Sequence, residues 1–193
     1  MARRFTATKL LLVVLVTLGA LPGSATAATT TPSITLGAGT LTYTTPFTAQ
    51  NFPNTTLTGL AQSVHASINT WAVTDARGSL LNGWNVTVAA SQFTTGGGSP
   101  STLPTGSMSL ATPAVPTTTG GNLSVAPVPV ATAAPIDGGS TQKIATAAIA
   151  TGLGEWIFTP LNVAGGDLLL SVPAGAVAGT YTSTITTTLA TGP

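Results

Sequence analysis

The sequence predicts an all-β protein, and three of its properties do so together. Apolar and hydroxyl side chains alternate at several places along the chain, the period-2 signature of a strand with one face in a core and one in water. Clusters of Gly, Pro and Asn separate these runs at the spacing of a sandwich. Helix signals are poor, because Thr and Gly abound and Pro occurs 14 times in 193 residues. The expected architecture is an antiparallel β-sandwich, Ig-like or jelly-roll-like, with long Gly-, Pro- and Thr-rich loops.

The expected strands follow in chain order. The first covers residues 34–43, and the second covers 64–73, which begins and ends on Val and carries Trp71. In 84–90 the side chains of Trp84, Val86, Val88 and Ala90 fall on one side. A short strand is expected at 107–111. The Ala-rich stretch 142–151 could carry a turn or two of helix, but its setting reads as a buried strand. Two further strands cover 155–158 and 168–172. The clearest lies at 180–189, where Tyr181, Ser183, Ile185, Thr187 and Leu189 point one way while Thr180, Thr182, Thr184, Thr186 and Thr188 point the other. An unbroken row of Thr marks a solvent-facing side. Residues 94–135 hold Gly96-Gly97-Gly98, Gly120-Gly121 and scattered Pro around short Val and Leu runs. They predict a loop-rich segment with an edge hairpin inside one domain, and a flexible linker between two domains is the competing reading.

Charge is scarce. Asp, Glu, Lys and Arg make up 5% of the chain, five basic against four acidic residues, where an ordinary soluble domain has about 25%. Solubility must come from hydroxyls and amides. Arg3, Arg4 and Lys9 precede an apolar run over 10–20, followed by Pro22-Gly23-Ser24-Ala25-Thr26-Ala27. This is the pattern of a secretory signal peptide over residues 1–27, with cleavage after Ala27. A membrane anchor is the rival, but the run is shorter than the ~20 apolar residues a spanning helix needs. Residues 28–193 are then expected to form a single domain. Cleavage would leave Arg77 and Lys143 against Asp75, Asp137, Glu155 and Asp167, so no basic patch remains for nucleic acid or an anionic membrane surface. There is no Cys, and a secreted chain without disulfides must hold together by burial alone.

One segment concentrates what charge and aromatic surface the chain has. Val73-Thr74-Asp75-Ala76-Arg77-Gly78 runs through a short loop to Gly83-Trp84-Asn85-Val86, with Trp71 just before and Phe93 just after. It joins two alternating segments through a Gly-bracketed turn. Near the other end, residues 168–173 lead to Ala178-Gly179-Thr180-Tyr181-Thr182-Ser183-Thr184-Ile185. Together these resemble the WxL domain, a cell-surface module of Gram-positive bacteria with a Val-Thr-Asp-x-Arg-Gly stretch, a Gly-Trp-x-Leu stretch, and a Val-Pro, Gly-Thr-Tyr and alternating strand near its end. Val86 stands where the first motif has Leu. In the second, Thr187-Thr188-Leu189 stands where Trp-x-Leu is expected, so the distal Trp is missing. The resemblance implies a secreted protein of the cell surface that attaches non-covalently to the cell wall through peptidoglycan or an associated polymer, often beside other surface proteins. The competing function is an assembly subunit of a surface complex that packs by its strands and binds no glycan itself.

Site candidates follow from the same segment. Trp84, Asp75, Arg77, Asn85 and Trp71 are the candidate ligand contacts: the guanidinium could grip a stem-peptide carboxylate or sugar hydroxyls, and the indoles could stack on sugars. The structural reading is favoured for Asp75, Arg77 and the two Trp residues. Asp75 would accept a hydrogen bond from the backbone two residues on, Arg77 would reach back to it, and Gly78 would supply a positive φ. Trp84, in phase with Val86 and Val88, would be a core residue. His65 is the only histidine, so no transition-metal site or nucleophile triad can be assembled, and no spacing among the four carboxylates outside the leader singles out an acid and base pair. The sequence therefore argues for a binding module without cofactor or metal, and against an enzyme.

Overall fold

The structure, a computed structural model, describes residues 30–112, 115–119, 122–132, 135–161 and 166–193. The leader expected at 1–27 lies outside these residues. The chain divides into two units, Met1–Leu36 and Gly37–Pro193. Of the first, residues 30–36 are exposed and without regular structure. All the strands described below lie in the second.

Twelve strands form among the described residues, every pairing is antiparallel, and no helix occurs among them. The first sheet has the order β1 (Leu41–Thr45), β3 (Trp71–Asp75), β9 (Gly154–Phe158). The second runs β2 (Gln62–Ala66), β10 (Leu168–Val172), β6 (Met108–Leu110). The third runs β12 (Ile185–Thr191), β4 (Trp84–Ala90), β8 (Gln142–Ala147), β7 (Val128–Pro129), and a small fourth sheet pairs β11 (Tyr181–Thr182) with β5 (Thr94–Thr95). This is the all-β sandwich that the alternation predicts.

The core draws on all three larger sheets, with Val73 and Phe158 from the first, Met108 and Leu168 from the second, and Val86 and Ile144 from the third. On β4, Trp84, Val86 and Val88 are each 0% exposed, while Asn85 and Thr87 between them are half-buried. Trp71 on β3 sits opposite Phe158 on β9, their rings stacked with centroids 3.9 Å apart at an interplanar angle of 3°. Trp84 meets the same Phe158 ring edge-on at 6.4 Å, which carries the contact from one sheet to the other. Such aromatic pairs contribute about 0.5–1.5 kcal/mol each beyond the area they bury.

Four expectations need correction. The strand expected at 34–43 starts only at Leu41; Gly37 and Gly39 interrupt the alternation, and a glycine inside a strand weakens it. The run 64–73 is two strands in different sheets, β2 and β3. The chain crosses between them at Asn69, whose side-chain amide donates to Pro46 O at 3.0 Å and Thr70 O at 2.7 Å, beside an isolated antiparallel bridge between Ala49 and Ile68. The run 180–189 is also divided. Its two parts pair with β5 and β4, and at the break Thr184 N donates to Ser91 Oγ and Ser91 N to Thr184 O, both at 2.9 Å. The phase of the alternation survives that break. Thr180, Thr182, Thr184, Thr186 and Thr188 are all exposed, and the residues between them are half-buried. The stretch 142–151 is a strand only to Ala147; Thr151 N donates to Ala148 O at 3.1 Å to close a turn in which Ala150 takes φ 63°. Within 94–135 the described residues hold β5, β6 and the edge strand β7, whose Pro129 suits an edge because it has no N–H to offer.

Where the family's second motif would place a Trp, Thr187 lies on the inner side of β12 opposite Val88. Tyr43 of β1 packs against the same core. Burial raises its phenol above the usual 10.0, and the Thr187 side chain pulls a smaller amount the other way. A group that holds its proton more tightly when folded adds stability that is present below its unfolded pKa and lost as pH rises toward the folded one. The melting temperature should therefore decline as pH rises above about 10, and Tyr43→Phe should flatten that decline; thermal melts of both proteins across alkaline pH check this, and parallel declines would contradict it.

Candidate functional site

The hairpin from β3 to β4 is built around one buried carboxylate. Asp75 ends β3 in phase with Trp71 and Val73, so the strand delivers its side chain to the inner face, where it is 0% exposed. A buried carboxylate is tolerated only when paired and hydrogen-bonded. Arg77 provides both. Its Nε donates to Asp75 Oδ1 at 2.8 Å and its Nη2 to Oδ2 at 2.7 Å, a two-pronged fork, while the Arg77 backbone N donates to Oδ1 at 3.1 Å. Gly78 follows at φ 63°. The bracing expected from the sequence is therefore present in each of its parts.

The guanidinium also reaches beyond the hairpin. Nη2 donates to Gly83 O at 3.1 Å and Asn82 O at 3.3 Å, and Nη1 to Thr191 Oγ1 at 3.1 Å. One side chain so links the end of β3 in the first sheet to the start of β4 and the end of β12 in the third. The hydrogen bonds to Asp75 and its charge hold the guanidinium above its ordinary value, against the opposing effect of burial.

Gly83 and Trp84 are fixed by close approach. A Cβ on Gly83 would lie 2.0 Å from Ala147 O, so only glycine lets β4 begin beside the end of β8. Trp84 Nε1 donates to Gly152 O at 3.0 Å. Gly152, at φ 71°, has room for no Cβ either, because one would fall 2.4 Å from the Ala147 Cβ and 2.8 Å from Trp84 Nε1. Asn85, on the other face of β4, donates from Nδ2 to Gly192 O at 2.6 Å. Asp75, Arg77, Trp84 and Asn85 are thus brought together where the chain turns from β3 into β4, while Trp71 stands at the opposite end of β3, beside Phe158. Trp71 and Trp84 are 1% and 0% exposed, so neither indole offers a face to solvent here.

Three of the four carboxylates in the described residues are buried. Asp137 accepts from Ser107 N at 3.1 Å and Met108 N at 3.0 Å, which anchors β6. Glu155 is half-buried and accepts from Thr119 Oγ1 at 3.1 Å. His65 is an ordinary member of β2, opposite Leu169.

A groove of about 1190 Å3 shares no residue with the hairpin. One wall is the strandless stretch 50–57 and the other is 178–183, with Phe93, Met108 and Leu170 in the floor. No Asp, Glu, Lys, Arg or His lines it. Sequence patterning does not reveal this surface, since its walls come from segments far apart in the chain. The local sign is Gln50-Asn51-Phe52-Pro53-Asn54, amides around one aromatic in a Pro- and Asn-containing stretch between two expected strands.

No curated protein and no solved structure matches the chain. A family model described as "WxL domain surface cell wall-binding" matches residues 29–193. The chain belongs to the WxL domain family of surface cell wall-binding domains.

Proposed function

We propose that this protein is exported, remains at the cell surface, and attaches non-covalently to peptidoglycan as a non-catalytic binding module. The observation that carries the reading is the match to a cell wall-binding family over residues 29–193. The distribution of charge supports the mode of attachment. Among the described residues the Asp75, Asp137 and Asp167 side chains are buried and Arg77 is engaged by Asp75, which leaves Lys143 and Glu155 half-buried as the remaining charged groups. Attachment then rests on hydrogen bonds and apolar contact rather than on ionic attraction. The motif residues Trp71, Asp75, Arg77, Trp84 and Asn85 serve it by holding the scaffold.

Pelleting with purified sacculi tests this. The protein should sediment with bare peptidoglycan, and raising salt from about 0.05 to about 0.5 M should change the bound fraction by less than about twofold, because screening weakens only charge-charge attraction. Release by moderate salt would overturn the non-ionic mode. A protein that stays in the supernatant and elutes as an oligomer on gel filtration would instead be an assembly subunit.

A further inference from the structure

We infer that the groove between 50–57 and 178–183 is a glycan-binding site that takes an uncharged strand of acetamido sugars. The inference rests on the wall-binding reading for its biological setting, but its argument is the chemistry of the groove. Its lining contains no ionisable Asp, Glu, Lys, Arg or His. An anionic teichoic polymer would find no cation there to balance its phosphates, and a stem peptide would have to leave its carboxylates and amines unpaired on entry. A neutral sugar chain meets no such cost.

The lining also has the right positive features. Gln50, Asn51 and Asn54 are exposed on one wall, and among the described residues nothing hydrogen-bonds their side-chain amides. A primary amide has two donors and an acceptor, which match the N–H and C=O of an acetamido group and the ring hydroxyls beside it. Thr180 and Thr182 add exposed hydroxyls on the opposite wall. Phe52 and Tyr181 are half-buried and line the same groove, so part of each ring faces it. Flat aromatic surface beside convergent amides and hydroxyls suits the two-sided character of a sugar ring, with C–H groups on its faces and O–H groups on its edges. The positions are held firmly. Phe52 packs edge-on against Phe93 at 5.9 Å, and the Tyr181 hydroxyl donates to Val177 O at 2.8 Å. The volume, about 1190 Å3, exceeds that of a typical small-molecule pocket and leaves room for several sugar residues.

The probe is the N-acetylglucosamine tetramer, which is neutral and carries no stem peptide. Calorimetric titration of the purified protein should show saturable binding, and the glucose tetramer, which lacks the acetamido groups, should bind about tenfold more weakly. Asn51→Ala combined with Asn54→Ala removes side chains that contribute no internal hydrogen bond, so the variant should melt as the parent does and lose at least about tenfold in affinity. Phe52→Ala should lose binding too, and the amide variant keeps the test valid if that substitution disturbs folding. Sacculus pelleting in parallel separates the two readings. If sacculi retain the protein while the tetramer does not bind, or while the amide variant pellets like the parent, the groove is not the site and wall binding stands. Competition by soluble stem peptide or teichoic polymer but not by the tetramer would likewise overturn it. Tetramer binding without sacculus retention would uphold the glycan site and overturn the wall assignment.

Discussion

Trp84→Ala should lower the unfolding free energy by about 3–5 kcal/mol, the usual cost of emptying a large aromatic site in a packed core. The ring is 0% exposed and bridges two sheets through Phe158. Its loss also removes the donor to Gly152 O, and a buried carbonyl left without a partner costs about 1–3 kcal/mol. Neighbours have little freedom to collapse into the space, since Gly83 and Gly152 already stand at the limit of approach to Ala147. For a domain of this size the melting temperature should fall on the order of 10 °C. Trp84→Phe should cost less, because it keeps most of the ring contact and loses the N–H. Thermal melts of the three proteins beside sacculus pelleting at a temperature where all are folded give the decisive comparison. An unchanged melt with lost pelleting would make Trp84 a ligand contact; a lowered melt with pelleting retained would make it a scaffold residue.

How far the sequence is legible depends on how local each feature is. β4 and β10 coincide with the expected 84–90 and 168–172, because each is bounded by clear breaks and buries alternate residues. The brace at Asp75 and Arg77 is legible for the same reason: the partners stand two residues apart, so the turn geometry can be argued without knowing the rest of the fold. Period-2 patterning reports which face a side chain takes and says nothing of which strand it pairs with. The runs 64–73 and 180–189 therefore read as single strands although each serves two sheets. At 180–189 even the break is silent, because the Ser183 hydroxyl donates to Ser91 O and the Thr184 backbone N–H to Ser91 Oγ, which bridges the break and preserves the alternation. The Arg77 bonds to Gly83 and Thr191 are not visible beforehand, since Thr191 lies 114 residues away. The groove is the least legible feature, for it exists only once 47–57, 93–108 and 168–185 have folded together.

Arg77→Ala should be as damaging as the loss of Trp84, and for a different reason. Of the three hydrogen bonds that Arg77 gives the Asp75 carboxylate, which is 0% exposed, the substitution leaves the one from the backbone N–H of residue 77. Removing one member of a buried pair costs about 3–5 kcal/mol, most of it the penalty of an uncompensated charge rather than the worth of the pair. The origin of the cost fixes what other variants should do. Asp75→Ala with Arg77→Ala removes the stranded charge along with its partner, so the double variant should be more stable than Arg77→Ala alone. Arg77→Lys should recover only part of the loss, because an ammonium cannot present the fork to both carboxylate oxygens while also reaching Gly83 O and Thr191 Oγ1. Denaturant melts of the set would show this ordering if Arg77 joins the two sheets by neutralising a buried carboxylate. A double variant less stable than Arg77→Ala would mean that the guanidinium's bonds to Asn82, Gly83 and Thr191 outweigh its pairing with Asp75. Wall retention supplies the second axis: Arg77→Lys, while folded, should still pellet with sacculi, and its failure to do so at an unchanged melting temperature would place Arg77 at the ligand instead of inside the scaffold.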